Sequence, residues 1–403
     1  MSRARDDFLT HLAHTSDAPI GLEVERAEGS WLYRRDGRRY LDLIAGIGVS
    51  ALGHGHPEIL EALARQSRRH LHVMVYGEYV LESQAALAAR LAGLLPPNLS
   101  RVYFTNSGAE AIEGALKTAR KFTGRAGFVA FDGAYHGDTM GALALAGNPA
   151  FRAPFGALPG PVRHLPFDDE NALAEIDDRV AAVIVEPVQA EGGVRIPTRS
   201  FIEALRRRCH RTGALLIFDE VLTGLGRIGR LFALDHFGVV PDLLVLAKAL
   251  GGGLPLGAFC GRDDLLGTLA HDPPLGHITT FGGHPLSCAT GLAMLDVIVR
   301  ERLWERAAIV GAQFVEDLRL RLTRSVTEIR GIGLLIGIEF DDSTLARRFV
   351  AESLGRGVVI NWTLNADHVV RLAPPLTIAA AEMDFAVSAM ERALDAANGL
   401  KTG

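Results

Sequence analysis

The sequence predicts an α/β protein whose larger domain carries a mostly parallel sheet, joined to a smaller α+β domain. Three observations predict it. First, "AAVIVEP" (181–187), "ALLIFDE" (214–220) and "DLLVLAK" (242–248) are unbroken apolar runs closed by a charged residue or its neighbour. Runs of that length and composition suit strands covered on both faces, as in a parallel sheet. Second, "RSFIEALRRRCHRTG" (199–213) lies between the first two runs, with apolar residues at helical spacing and a glycine stop. Strand, helix, strand is the rhythm of a βαβ unit. Third, the pattern changes near Leu286, where long helical periodicity replaces the alternation.

Taken in chain order, residues 1–50 form an N-terminal segment expected to pack with the small domain. The large domain is expected over 51–285. Within it, "TNSGAEAIEGALKTARK" (105–121) opens an amphipathic helix at Ser107, and strands alternate with helices from about Ser100 to Gly261. The small domain is expected over 286–403. Residues 286–322 read as one long helix or a broken pair, and short strands follow in "IRGIGLLIGIEF" and "RGVVINW". The helical pattern of 380–398 closes the chain. No repeat or low-complexity linker separates the parts, so a tight interface is expected.

The 403 residues carry 47 acidic and 42 basic side chains, a formal net charge of −5 with the signs well mixed. No basic stripe marks a nucleic-acid partner. No apolar stretch approaches the roughly 18–20 residues of a membrane span, and "MSRARDDFLTHLAH" lacks the apolar core of a secretory signal. Cys209, Cys260 and Cys288 are odd in number and far apart, which suggests neither a disulfide framework nor a zinc site; no metal is expected. A cytoplasmic protein is the expectation.

Open parallel sheets bind ligands beyond the carboxyl ends of their strands. Two charged residues fall there, Asp219 after "LLIF" and Lys248 after "LLVLA". Lysine is rare in this chain: Lys117, Lys121, Lys248 and Lys401 are the four, against 38 arginines. Beside apolar strands a lysine loses hydration, its pKa falls, and the neutral amine becomes a nucleophile. Arginine cannot do this, because its guanidinium stays charged up to a pKa above about 12. A primary amine is what an aldehyde needs to form a Schiff base. A lone lysine there is more often one that merely extends its head to water, but Asp219 shifts the balance. Pyridoxal phosphate takes a lysine at its aldehyde and commonly an acid at its ring nitrogen. Ser107, Gly108 and Ala109 then supply a phosphate cradle at a helix start, where backbone N–H groups and the positive helix end favour an anion.

The order of these pieces, with "YLDLIAGIGVSALGHGHPEI", "FDGAYHGDT", "EPVQAEGGV", "PDLLVLAKALGGGLPLGA", "TTFGGHPLSCA" and "VRLAPPLTI", resembles the class III pyridoxal-phosphate aminotransferases. Their acetylornithine/ornithine branch is the most similar. The resemblance implies a fold type I transferase using pyridoxal 5′-phosphate, with small-molecule amino donors and 2-oxo acid acceptors. Lys248 would hold the cofactor's aldehyde and then shuttle the proton. Asp219 would pair with the pyridine nitrogen, Val221 and Tyr135 would cover the two ring faces, and His136 and Glu186 would belong to the same pocket. Ser107, Gly108 and Ala109 would hold the phosphate, joined by Thr280 from the other subunit of a homodimer. Glu191 and Arg371 would form a gate, open for an α-carboxylate and closed for a donor presenting an amine; a plain salt bridge between domains is the alternative.

Three positions depart from that branch. Asp138 stands where an arginine grips the distal carboxylate of 2-oxoglutarate, and Arg152 or Arg163 would have to replace its charge. Leu222 stands for Gln, and His284 for Asn, with no effect predicted for the latter. "INWTLNADH", near Trp362, would line the donor pocket or leave the tryptophan in the small-domain core. The expected reaction is transfer of a terminal amino group, as in acetylornithine or a related ω-amino acid or diamine, to a 2-oxo acid such as 2-oxoglutarate. The alternatives are an amine:pyruvate transaminase, a same-fold aminomutase, epimerase or decarboxylase, and a non-catalytic binding protein. Absence of a G-x-G-x-x-G after a first strand excludes a dinucleotide oxidoreductase.

Overall fold

The computed structural model describes residues 3–399, so Lys401 lies outside the described residues. A seven-stranded sheet forms the centre, in the order Arg101–Thr105, Gly257–Gly261, Leu243–Leu246, Leu215–Asp219, Val180–Val185, Gly127–Phe131, Val162–Leu165. The three apolar runs read from the sequence lie side by side within it. They pair in parallel, with Ile184 opposite Ile217 and Phe218 opposite Leu244. One strand differs from the parallel expectation. Gly257–Gly261 runs antiparallel to both of its neighbours.

Helices cover the two faces of this sheet for the reasons their sequences give. The Gly108–Thr123 helix begins where Ser107 Oγ accepts from Glu110 N at 3.2 Å and ends at Gly124, whose φ is +67°. Its apolar stripe, Ala111, Ile112, Ala115, Leu116 and Ala119, is buried against Ile184, Ile217 and Val245. On the other face, Thr198 caps the Arg199–Thr212 helix, which buries Phe201, Leu205 and Cys209 one turn apart. Each large apolar side chain so buried contributes about 1.5–3 kcal/mol.

After residue 285 the long apolar pattern resolves as two helices, Pro285–Arg300 and Leu303–Arg321. The break falls at Arg302, whose φ of +50° no helix interior accepts. An antiparallel sheet follows, ordered Val326–Ile332, Leu335–Phe340, Val369–Leu372, Asn361–Trp362. The Val369–Leu372 strand carries Arg371, and the sequence reading had not marked it as a strand. Near the N-terminus, Arg26–Glu28, Trp31–Tyr33 and Arg39–Asp42 form a third sheet with Val358–Val359. Trp31 Nε1 donates to Glu382 Oε1 at 2.7 Å, which ties this segment to the last helix. No helix among the described residues is long and apolar enough to cross a membrane.

Candidate active site

At the carboxyl edge of the large sheet, the loops after five strands meet around a cavity of about 560 Å³. Asp219, the last residue of its strand, is buried there. Its Oδ2 lies 2.7 Å from His136 Nδ1, and its Oδ1 accepts from Val221 N at 3.0 Å. His136 sits in the loop after Gly127–Phe131, with its side chain fully enclosed. Burial alone would lower its pKa, but the bond to Asp219 and the charges of Asp219 and Glu186 outweigh this and raise it. Its Nε2 is buried with no partner. That is a buried polar atom the protein alone leaves unsatisfied.

Glu186 follows Val180–Val185 and clamps two loops, accepting from Tyr135 N at 3.0 Å and Ala190 N at 3.1 Å. Burial pushes its pKa up to about 7, opposed by His136. Tyr135 Oη donates to Asp138 Oδ2 at 2.8 Å, and burial and that bond raise the phenol's pKa.

Lys248 was expected to end its strand. The strand instead stops at Leu246, and Lys248 opens a short turn with a φ of +50°. A non-glycine residue held left-handed costs roughly 1–2 kcal/mol, and such strain is found where the surrounding structure fixes a side chain for use. Lys248 keeps some accessible surface because it faces the cavity, while the protein around it strips away most water. That desolvation, then Arg371, lowers its pKa, against the pull of Glu191, Asp219 and Glu186. The glycines after it serve packing as well as the turn. A Cβ on Gly252 would stand 2.5 Å from Thr290 O, so the Pro285–Arg300 helix fits only against glycine.

Ser107, Gly108 and Ala109 line the cavity at the start of their helix, where the first N–H groups have no intrahelical acceptor. Gly137 fits this helix closely: its φ is +118°, and a Cβ there would come within 2.5 Å of Ala109 Cβ. A Gly137→Ala protein is therefore expected to lose about 1–3 kcal/mol of stability and to hold phosphate-bearing ligands more weakly. A lowered urea midpoint together with weaker inorganic phosphate binding checks this, and an unchanged midpoint contradicts it.

Val221 also lines the cavity and packs on Gly108, whose added Cβ would lie 3.1 Å from Val221 Cγ2. Glu191 and Arg371 are joined in a buried ion pair through Oε1 and Nη1. Arg371 Nε and Nη2 are buried without partners. Thr280 is exposed and does not line this cavity in its own chain.

Other expectations are corrected or refined. Arg152 reaches His164 Nδ1 at 3.0 Å, and Arg163 is held by Glu175 O and, at 3.3 Å, by Asp177. Neither lines the cavity, so neither supplies the charge that Asp138 lacks. Trp362 packs against the hydrophobic core and does not line the cavity, with the Arg347 guanidinium 5.7 Å from its ring centre. Its neighbours matter instead: Leu364 N donates to Glu191 Oε2 at 3.0 Å, and Asn365 Nδ2 donates to Gly133 O at 2.9 Å. His284 caps the Pro285–Arg300 helix through Nδ1, which accepts from Leu286 N at 3.3 Å. Asparagine is a good cap as well, which explains the exchange. Leu222 is a buried part of the cavity wall.

Sequence reasoning missed Asn106 and Thr223 in the wall. Asn106 was within a quoted motif, and its Nδ2 bonds to Glu110 and Thr279 would have been its only signal. Thr223 Oγ1 is buried and unpartnered. Among the described residues no group of three or more His, Cys, Asp or Glu could hold a metal ion. A larger cavity, about 620 Å³ beside the Arg3–His11 helix, has no lysine in its lining.

The donor set thus offers a desolvated amine, a carboxylate oriented by a histidine, and a helix start open to an anion. Those are the contacts that a phosphorylated aromatic aldehyde requires, and pyridoxal 5′-phosphate fits them.

Comparison with known proteins gives the same direction. The family model for aminotransferase class-III matches residues 12–394. The acetylornithine aminotransferase of Methanopyrus kandleri is 43% identical over 391 residues, 96% of this chain and 97% of its own. The putrescine aminotransferase of Pectobacterium atrosepticum is 40% identical over 380 residues, 90% of this chain and 80% of its own. Among solved structures, the ornithine aminotransferase from Toxoplasma gondii superposes with a TM-score of 0.90 at 32% identity, covering 98% of this chain and 95% of that one. An (S)-enantioselective omega-transaminase from Thermomicrobium roseum gives 0.89 at 34%, covering 97% of each.

Proposed function

Because the chain belongs to the class-III aminotransferases, we propose that it transfers the terminal amino group of a small amine or ω-amino acid to a 2-oxo acid. Pyridoxal 5′-phosphate is its cofactor. The observation that carries the reading is the convergence of Lys248 with the Asp219–His136 pair in one cavity. Acetylornithine and putrescine, the substrates in its relatives' names, are the first donors to test.

When bound, the cofactor supplies an aldehyde that takes up amino nitrogen and a ring that accepts the electron pair left by a departing proton. Lys248 would hold the aldehyde, Asp219 the ring nitrogen, and Ser107, Gly108 and Ala109 the phosphate, with Val221 and Tyr135 against the ring faces. His136, fixed on Asp219 Oδ2, keeps that carboxylate turned toward the cavity. Lys248 Nζ, made easier to deprotonate because burial lowers its pKa, takes the proton from the donor's nitrogen-bearing carbon. In the return half it delivers a proton to the former carbonyl carbon of the acceptor.

Glu191 and Arg371 act at the substrate end. The closed pair leaves two Arg371 donors unpartnered, and an incoming α-carboxylate would satisfy them once Glu191 moves away. A planar guanidinium suits such a two-point grip. Glu191→Gln is expected to lower the KM of the 2-oxo acid on the order of tenfold, about 1.4 kcal/mol, and to raise that of donors lacking an α-carboxylate. Separate half-reaction kinetics check it; equal shifts for both substrates would make the pair structural only.

A homodimer belongs to the same reading. Thr280 and the exposed Ile278 and Phe281 adjoin a stretch with Leu71, Tyr79 and Val80 exposed, the last almost completely. Water-exposed apolar side chains gathered this way favour burial against a second copy, which would bring Thr280 to that copy's phosphate. A second reading, with pyruvate as the acceptor, is favoured by one observation: with Arg371 assigned to the α-carboxylate, no arginine among the described residues lines the cavity to take a second carboxylate. The deciding experiment loads the protein with pyridoxal 5′-phosphate, offers acetylornithine, putrescine and other amines, and measures amino acid formed from 2-oxoglutarate and from pyruvate. No amino acid from any pairing would overturn the proposed reaction.

A further inference from the structure

Asp138 contributes nothing to the chemistry described so far, yet its carboxylate lines the same cavity. It follows Gly137, whose tight turn against Ala109 fixes where the next residue stands. Tyr135 Oη donates to its Oδ2 at 2.8 Å. The residue is exposed, and among the described residues no ion pair engages it. Arg152 and Arg163 do not line the cavity, and Arg371 is paired with Glu191. The wall therefore presents a carboxylate without an ion-pair partner to the cavity that Lys248 also lines.

Resting on the reaction proposed above, we propose that Asp138 is a specificity residue that takes the distal ammonium of a diamine donor. Attraction between opposite charges a few ångströms apart, in a cavity partly screened from water, favours a cationic tail over an apolar one. The same charge opposes a distal carboxylate, so 4-aminobutanoate is disfavoured as a donor and 2-oxoglutarate as an acceptor. Tyr135 keeps the carboxylate in place through its hydroxyl, and an amide at position 138 can accept that same bond. Asp138→Asn thus removes the charge while keeping the Tyr135 contact.

The test uses the holoenzyme and three donors, 1,4-diaminobutane, butylamine and 4-aminobutanoate. Wild type is expected to prefer the diamine to butylamine in kcat/KM by about tenfold or more. In Asp138→Asn that preference collapses, 4-aminobutanoate improves, and Asp138→Glu keeps part of the diamine preference. The ratio between donors is the diagnostic, because loss of Tyr135 orientation alone would slow all three alike. A wild-type enzyme indifferent to the second ammonium, or a variant that loses all donors in proportion, overturns the proposal. Should no donor yield amino transfer, the reaction reading fails by itself. Calorimetric binding of 1,4-diaminobutane against butylamine, in wild type and Asp138→Asn, then still decides for or against Asp138.

Discussion

Replacing Lys248 with arginine is expected to abolish amino transfer, by at least about 10⁴-fold, the upper range for loss of a positioned proton-transfer group, while the fold persists. The two side chains are both long, unbranched and cationic, so the pocket's acids, Glu186, Glu191 and Asp219, meet a positive charge either way. What changes is the chemistry available to the nitrogen. Desolvation lowers the amine's pKa toward the range where a neutral fraction exists, whereas a guanidinium stays charged and cannot condense with an aldehyde. Rates of amino acid formation, far-UV circular dichroism and the urea midpoint of the variant check both halves of this expectation. A Lys248→Arg protein that still transfers amino groups at a measurable fraction of the wild-type rate would remove Lys248 from the reaction.

The lysine stood out in the sequence by its rarity and its place after an apolar run, but its backbone conformation did not. A strand-end position was expected, whereas the residue takes a left-handed φ of +50° in the turn beyond the strand. The direction of Gly257–Gly261 escaped for a related reason, since a short apolar run reads the same whichever way it crosses a sheet. Tertiary polar contacts were the least visible. His136 could be placed in the pocket by motif, while its bond to Asp219 joins residues 83 apart in sequence. Arg227 would be read as a surface charge. It is instead buried, donating to Leu334 O and Pro374 O, with its pKa lowered to about 9 by burial and by Arg371. Leu364 holds Glu191 through its backbone N–H, which leaves no trace in residue type, while Asn365 reaches the Gly133 turn with a side-chain amide 232 residues away in sequence.

The His136–Asp219 pair gives the second large effect. Asp219→Ala is expected to lower amino transfer by about 10³-fold, as when a preorganised electrostatic partner is removed. It is also expected to destabilise the protein by about 3–5 kcal/mol near pH 6, the usual cost of leaving one member of a buried pair alone. The side chains are 0% and 5% exposed, so solvent screening offers little relief. The sign of the pH dependence follows from His136, whose pKa is raised in the folded protein. Its stabilising contribution is complete below the unfolded value of about 6.5 and is lost as pH rises through the higher folded value. The stability gap between wild type and Asp219→Ala should therefore be widest at pH 6 and narrow at alkaline pH, as measured by urea denaturation across that range. Asp219→Asn separates the two roles. Its amide oxygen can still accept from His136 or from Val221 N, so it should lose less stability than the alanine variant. It carries no charge to hold a proton on the cofactor's ring nitrogen, so its activity should fall nearly as far. If the asparagine variant keeps near-normal turnover, the charge of Asp219 is not what the reaction uses, and the residue serves only to position His136.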